Sequence, residues 1–283
     1  MRTDYTQLLD HLTPLLRDSD AVVAAAVIGS RTSQPDRDHA DLDLLVFTDQ
    51  PEQLLEDNSW LSWLGRIWAS TIDRSLPGLP VKRLLLDHAA QVDLLILAPD
   101  AATELPSNAR AILADTARRG FKPLKEGGPV PDGLAELAEA AGAALSGRPS
   151  QEQFSQLVAQ FWVNAVRAAR RLADGEVWAA NRIVDGPMKD ALVELRAWVV
   201  RAVKGAEADT FWRGRHLEEW AGPRFTADLA ATCGPLEAGA VRHGLTETMD
   251  LFRLLAIQAA SRWSLDYAEG LDRRVTVWVR TWD

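Results

Sequence analysis

Three aspartates stand where apolar strands would not otherwise carry charge. Asp41 and Asp43 open the run DLDLLVF (41–47), and Asp93 lies inside QVDLLIL (91–97). Side chains at i and i+2 of a strand share a face, about 6.6–6.8 Å apart at their Cα atoms, so Asp41 and Asp43 are neighbours. Two carboxylates that close repel, and neither ionises cheaply in a low-dielectric setting. A hard divalent cation resolves the conflict. Mg²⁺ takes oxygen ligands, typically one or two carboxylates together with the phosphate oxygens of a substrate. If the strand of Asp93 neighbours that of Asp41 and Asp43, three carboxylates converge, enough for two cations about 3.5–4 Å apart that clamp an in-line displacement at phosphorus. A solvated strand edge is the plainer reading of any one of these aspartates. The D-x-D spacing, with a third strand aspartate about fifty residues later, favours the metal.

The segment before them fits phosphate chemistry. AVVAAAVI (21–28) reads as a buried strand and runs into Gly29, Ser30 and Arg31. Glycine lets backbone N–H groups approach a phosphate closely. The Ser30 hydroxyl adds a donor, and the Arg31 guanidinium can pair with phosphate oxygens. A Gly-Ser pair after a strand is by itself only a turn; it gains meaning from the aspartates that follow.

The elements that must position these residues fall into two halves. In the first, helical spacing covers 4–17 despite Pro14, and strands are expected at 21–28, 42–47 and 66–71. VKRLLLD and QVDLLILA form an expected hairpin joined by HAA, and PEQLLEDNSWLSWL reads as one helix opened by a proline. A helix over 107–118 closes this half. The Gly/Pro-rich stretch KEGGPVPDG (125–133) reads as a linker. Beyond it nearly everything is helical: 133–145, 151–173, 176–202, 209–220, 223–232, 235–263 and 266–279. Ser150 with Gln153 forms a capping-box pattern, and Gly186–Pro187 is expected to interrupt the third of these helices. The expected architecture is α+β: a mixed sheet flanked by helices over 1–128, then an all-α bundle over 129–283.

Composition narrows the partners. The chain has 283 residues, 47% hydrophobic and 25% charged, with a formal charge of −9. An acidic balance argues against a nucleic-acid partner, which calls for a basic stripe, and suits a cationic small molecule. No apolar run reaches the ~20 residues that span a bilayer, so no membrane is expected. The N-terminal MRTDYTQLLDHL lacks a signal-peptide core, and Cys233 is the single cysteine, which excludes an internal disulfide; the expectation is a cytoplasmic protein, monomeric or homodimeric. The five histidines show no zinc spacing.

The order strand–Gly-Ser, D-x-D on the next strand, then a third strand Asp resembles the polymerase-β-like nucleotidyltransferase superfamily. More narrowly, GSR…DLDLLVF…WLSWLG…VDLLIL resembles the aminoglycoside 6-adenylyltransferase (streptomycin adenylyltransferase) family. FWVNAVRAARRLADGE (161–176) is similar to that family's segment from Phe-Trp to Lys-Gly-Leu-x-Arg-x-Glu, with Arg170 at the lysine, Leu172 at the leucine and Glu176 at the glutamate. FWRGRHLEEW (211–220) resembles a later Gly-Lys-x-Leu segment. The resemblance implies ATP as the nucleotide donor, Mg²⁺ held by Asp41, Asp43 and Asp93, and a cationic acceptor hydroxyl to which AMP passes. Gly29, Ser30, Arg31 and Arg170 would then contact the triphosphate, and Glu176 would take the acceptor's proton or pair with its charge. Plainer readings stand beside these: Arg170 on a solvated helix face, Glu176 at the start of a helix. Trp162, Trp178 and Trp198 either stack on a ring of a substrate or pack the core. The sequence departs from the family at Asp174, where arginine is usual, and at FKPLKEGG (121–128), which lacks an Asp-Lys-Asp-Gly. Both departures bear on the acceptor, so other acceptors (a lincosamide-like drug, a small metabolite, a protein side chain) and a non-catalytic nucleotide-binding protein stay open.

Overall fold

The structure, a computed structural model, describes residues 5–32, 41–64, 66–75, 79–100, 105, 107–118, 120–126, 148–205, 208–210 and 214–281. The chain divides into two compact units, Met1–Leu145 and Ser146–Asp283. The expected boundary at 128/129 and the expected helix over 133–145 lie outside the described residues.

The first unit is built on one mixed sheet. In chain order come helix α1 (Tyr5–Asp18), strand β1 (Ala24–Ile28), a 3₁₀ turn at Gly29–Thr32, β2 (Leu42–Phe47), α2 (Pro51–Glu56), β3 (Ile67–Asp73), β4 (Val81–Leu86), β5 (Gln91–Leu97), α3 (Ser107–Arg118) and β6 (Lys122–Lys125). The strand order is β3-β4-β5-β2-β1-β6. Only β2 and β5 run parallel; the other four pairings are antiparallel.

The central strands β1 and β2 are buried along nearly their whole length because both faces are covered, which is why they read as near-continuous apolar runs rather than alternations. Leu44 and Val46 of β2 pack with Leu12 and Leu16 of α1 and Leu54 of α2, while Leu45 and Phe47 pack with Ala109 and Leu113 of α3. Odd-numbered residues of β2 and β5 thus face α3, and Asp43 and Asp93 belong to that set by the period of two.

Two sequence expectations change here. The helix expected over 51–64 stops at Glu56; after Asp57 and Asn58 the chain resumes as a 3₁₀ turn over Ser59–Leu64. The Asp57 side chain accepts the Ser59 N–H at 2.7 Å, a local alternative to the helical bond. Lys82, fully buried on β4, donates to the carbonyls of Leu54 (3.0 Å) and Asp57 (2.7 Å), so this helix end is satisfied from the sheet. Strand β6 has no counterpart in the sequence reading. It is four residues long and holds Pro123, which only an edge strand tolerates.

The second unit is helical. It comprises α4 (Gln151–Ala173), α5 (Val177–Ile183), α6 (Lys189–Lys204), α7 (Leu217–Trp220), α8 (Pro223–Ala231), α9 (Ala238–Trp263) and α10 (Glu269–Arg280). Ser150 caps α4 with a reciprocal box: its Oγ accepts the Gln153 N–H at 3.1 Å and Gln153 Oε1 accepts the Ser150 N–H at 2.9 Å. Between α5 and α6 lies a π turn, Val184–Met188, in which Gly186 leaves helical geometry (φ −106°, ψ −106°) one residue ahead of Pro187. Of the helix expected over 209–220, residues 211–213 lie outside the described residues; among the rest only Leu217–Trp220 forms α-helix, because Gly214 (φ +73°) and His216 (φ +53°) are both left-handed. In the core Phe161 stacks on Phe252 at 3.5 Å, and Trp162 meets both rings edge-on. Trp162 and Trp198 are buried, so they pack; Trp178 is 64% exposed.

Candidate active site

The parallel pairing of β2 with β5 decides the geometry. Its register sets Asp43 directly opposite Asp93, with Asp41 two residues before Asp43 on the same face. One carboxylate oxygen from each of Asp41, Asp43 and Asp93 lies within 4.8 Å of the other two, and all three residues are half-buried. A parallel pair has no hairpin to join it, so residues fifty positions apart meet only through the crossover β2–α2–β3–β4–β5.

The strands on either side complete the setting. Ile28 of β1 pairs with Asp43, and the chain leaves β1 at Gly29 with φ +77°. A Cβ on Gly29 would collide with Asp43 Oδ2 and stand 3.2 Å from the carboxylate carbon. Glycine is therefore required twice, by the backbone angle and by the closeness of the carboxylate. Ser30 lies on the same turn, and its side chain is outside the described residues. Arg31 is buried; its Nε donates to the Asp41 carbonyl at 3.0 Å, and its guanidinium lies 3.7 Å from the centre of the Tyr5 ring. This arginine secures the backbone from which Asp41 projects.

On the other side, Arg83 of β4 pairs in register with Asp93. Arg83 Nε donates to Asp93 Oδ2 at 3.1 Å, and Gln91 Nε2 donates to Asp93 Oδ1 at 3.0 Å. Burial pushes the Asp93 carboxyl above its ordinary value, the Gln91 and Arg83 contacts pull against it, and the charge on Asp41 adds to the rise. That is the behaviour of a carboxylate in want of more positive charge. Three half-buried oxygen donors within reach of one another suit a hard divalent ion such as Mg²⁺. Arg83 and Gln91 escaped the sequence reading; their signal was the position of Arg83 in VKRLLLD, facing opposite to Leu84 and Leu86, and of Gln91 two residues before Asp93.

The two remaining predicted residues sit in the helical unit. Arg170, on an exposed face of α4, lies over the Trp278 ring at 5.6 Å. Glu176 occupies the position just before α5 without a side-chain cap bond, and its Oε2 pairs with Arg171 Nη1 at 2.7 Å. The structure gives both a local packing or pairing role within their own unit.

A model of the streptomycin adenylyltransferase family matches residues 132–282, more than half of the chain. No curated protein matches the sequence. Among solved structures, an aminoglycoside 6-adenyltransferase from Bacillus subtilis aligns over 100% of this chain and 99% of its own, with 14% identity and a TM-score of 0.45. A nucleotidyltransferase-like protein from Exiguobacterium sibiricum aligns over 99% of this chain and 89% of its own, with 13% identity and a TM-score of 0.40.

Proposed function

The chain belongs to the streptomycin adenylyltransferase family, and from that membership we propose that it moves AMP from Mg-ATP to a hydroxyl group of an aminoglycoside such as streptomycin. It is an enzyme of the nucleotidyltransferase class. The observation that carries the finer reading is the convergence of Asp41, Asp43 and Asp93. These residues lie outside the segment that matches the family, so chemistry and membership are supported by separate parts of the chain.

In the reaction the acceptor O–H bond breaks, a bond forms from that oxygen to the α-phosphorus, and the bond from phosphorus to pyrophosphate breaks. Magnesium held by the three carboxylates would supply charge neutralisation at the phosphates and orient the leaving group. The chain's own work is positional. Gly29 keeps the β1 turn flush against Asp43, and Arg31 fixes the Asp41 backbone. The hydroxyl proton passes to a carboxylate, for which Asp93 and Glu176 are the two candidates. An acidic protein suits an acceptor that carries ammonium or guanidinium groups.

Pyrophosphate release from Mg-ATP against a panel of acceptors tests this. Release with streptomycin or a related aminoglycoside, lost in Asp41→Asn and Asp43→Asn, is the expected result. Release only with a lincosamide or another hydroxyl compound would move the acceptor, and ATP binding without turnover on any acceptor would overturn the enzymatic reading.

A further inference from the structure

We propose that Arg83, acting with Gln91, is a positioning residue for the Asp93 carboxylate. The inference rests on the reading of Asp41, Asp43 and Asp93 as ligands of a divalent cation. Asp43 lies on β2 and Asp41 immediately precedes that strand, so the backbone sets their spacing. Asp93 comes from another strand, and the β2–β5 register fixes its Cα but not the rotation of its carboxylate. The structure fixes that rotation from both sides. Arg83 Nε holds Oδ2 from the antiparallel neighbour β4, and Gln91 Nε2 holds Oδ1 from two residues earlier on the same strand.

Arg83 is itself held. Its Nη1 lies 3.2 Å from Asp73 Oδ2, at the end of β3. Asp73, Arg83, Asp93 and Asp43 thus form a row of charges running across β3, β4, β5 and β2. A carboxylate oxygen offers about two lone-pair sites. One donor on each oxygen of Asp93 leaves one site on each for a cation, so the contacts orient the ligand without occupying it. Partners of this kind fix a metal-ligating carboxylate much as the ligands fix the metal. The outer end of the row is open to solvent, with the Arg83 side chain 45% and the Asp73 side chain 30% exposed, and contributes little to stability. Its inner end, Asp93, is 13% exposed, so positioning has to be separated from stability by experiment.

Mn²⁺ binding to the full chain, followed by the electron paramagnetic resonance of the free ion and without nucleotide, tests the proposal. Arg83→Met keeps the aliphatic stem and removes charge and donors. Gln91→Leu removes a donor and changes no charge. Both are expected to weaken Mn²⁺ binding by about tenfold or more, measured at a temperature where the thermal midpoint of the metal-free variant shows it still folded. Arg83→Lys, which keeps the charge but not the directed Nε–H, should recover only part of the loss. Tighter binding in Arg83→Met would overturn the proposal, since it would make Arg83 a competitor of the cation. Binding that Asp43→Asn abolishes but Arg83→Met and Gln91→Leu leave unchanged overturns the positioning role alone. Absence of Mn²⁺ binding by the unaltered protein overturns the metal reading and this proposal with it.

Discussion

At the scale of single residues, Gly29 and Gly175 offer a matched pair. Both have φ +77°, yet a Cβ on Gly29 would strike the Asp43 carboxylate whereas one on Gly175 meets nothing within 4 Å. Alanine at either position incurs the left-handed penalty of about 1–2 kcal/mol. Gly29→Ala should in addition displace Asp43 and lose turnover well beyond its loss of stability, while Gly175→Ala should lose stability alone. Thermal midpoints beside kcat for the two variants check this, and equal activity in both would remove the close approach from the argument. Glu176 admits an equally direct test. If it takes the acceptor's proton, Glu176→Gln should lower kcat by about 10²–10⁴. If it grips a charge on the acceptor, the change should appear as a raised acceptor KM. If it serves only its 2.7 Å pair with Arg171, in which both side chains are about half exposed, kinetics should hold and stability should fall by about 1 kcal/mol or less.

At the scale of elements, the helical unit is pinned by one charged knot. Arg253 of α9 donates from Nε and Nη2 to the two oxygens of Asp272 on α10, each at 2.7 Å; Tyr267 donates to the same carboxylate at 3.0 Å, and so does Thr276. Burial works against charge on Asp272, but the bonds from Arg253, Tyr267 and Thr276 outweigh it and hold the carboxyl below its ordinary value. Because the folded-state value is the lower one, the stabilisation is complete above the unfolded-state value of about 3.9 and is lost as pH falls through the folded-state value. Asp272→Asn should therefore lower stability by about 2–3 kcal/mol at neutral pH, as loss of a largely buried charge partner does. The gap between variant and parent should narrow below about pH 4. Thermal midpoints taken across pH 3–7 (about the range in which a carboxylate titrates) read the difference, and a gap independent of pH would show that the charge on Asp272 contributes nothing.

At the scale of the whole molecule, each unit has its own core. Among the described residues, the helical unit buries Phe154, Phe161, Trp162, Leu192, Trp198 and Phe252 in one cluster, and the sheet unit's clusters lie on the two faces of its sheet. Residues 146–283 expressed alone should accordingly fold into a helical protein that melts cooperatively, because a domain needs its own core and little else. Circular dichroism of that fragment checks it; a non-cooperative melt would mean that the helical unit depends on the sheet unit. Among the described residues, no helix is long and apolar enough to cross a membrane.

The sequence by itself determined the elements whose pattern is local and the residues whose chemistry is out of place. The α+β architecture, the capping box at Ser150, the break at Gly186–Pro187 and the strands carrying Asp41, Asp43 and Asp93 were legible because a period of two or 3.6, a cap or a misplaced charge is written within a few residues. Helix ends were less legible: α2 stops at Glu56 because Lys82, some twenty-five positions later, satisfies its last carbonyls from the sheet. The short strand β6 carries too few residues to show any period. Only the tertiary structure decided that β2 and β5 are adjacent and in the one register that sets Asp43 against Asp93; slipping that register by one residue would send one of the two carboxylates to the opposite face. It alone brought Arg83 to Asp93 and turned Arg31 inward to the Asp41 carbonyl. Strand order and register are set by contacts between distant segments, and no window of sequence contains both partners.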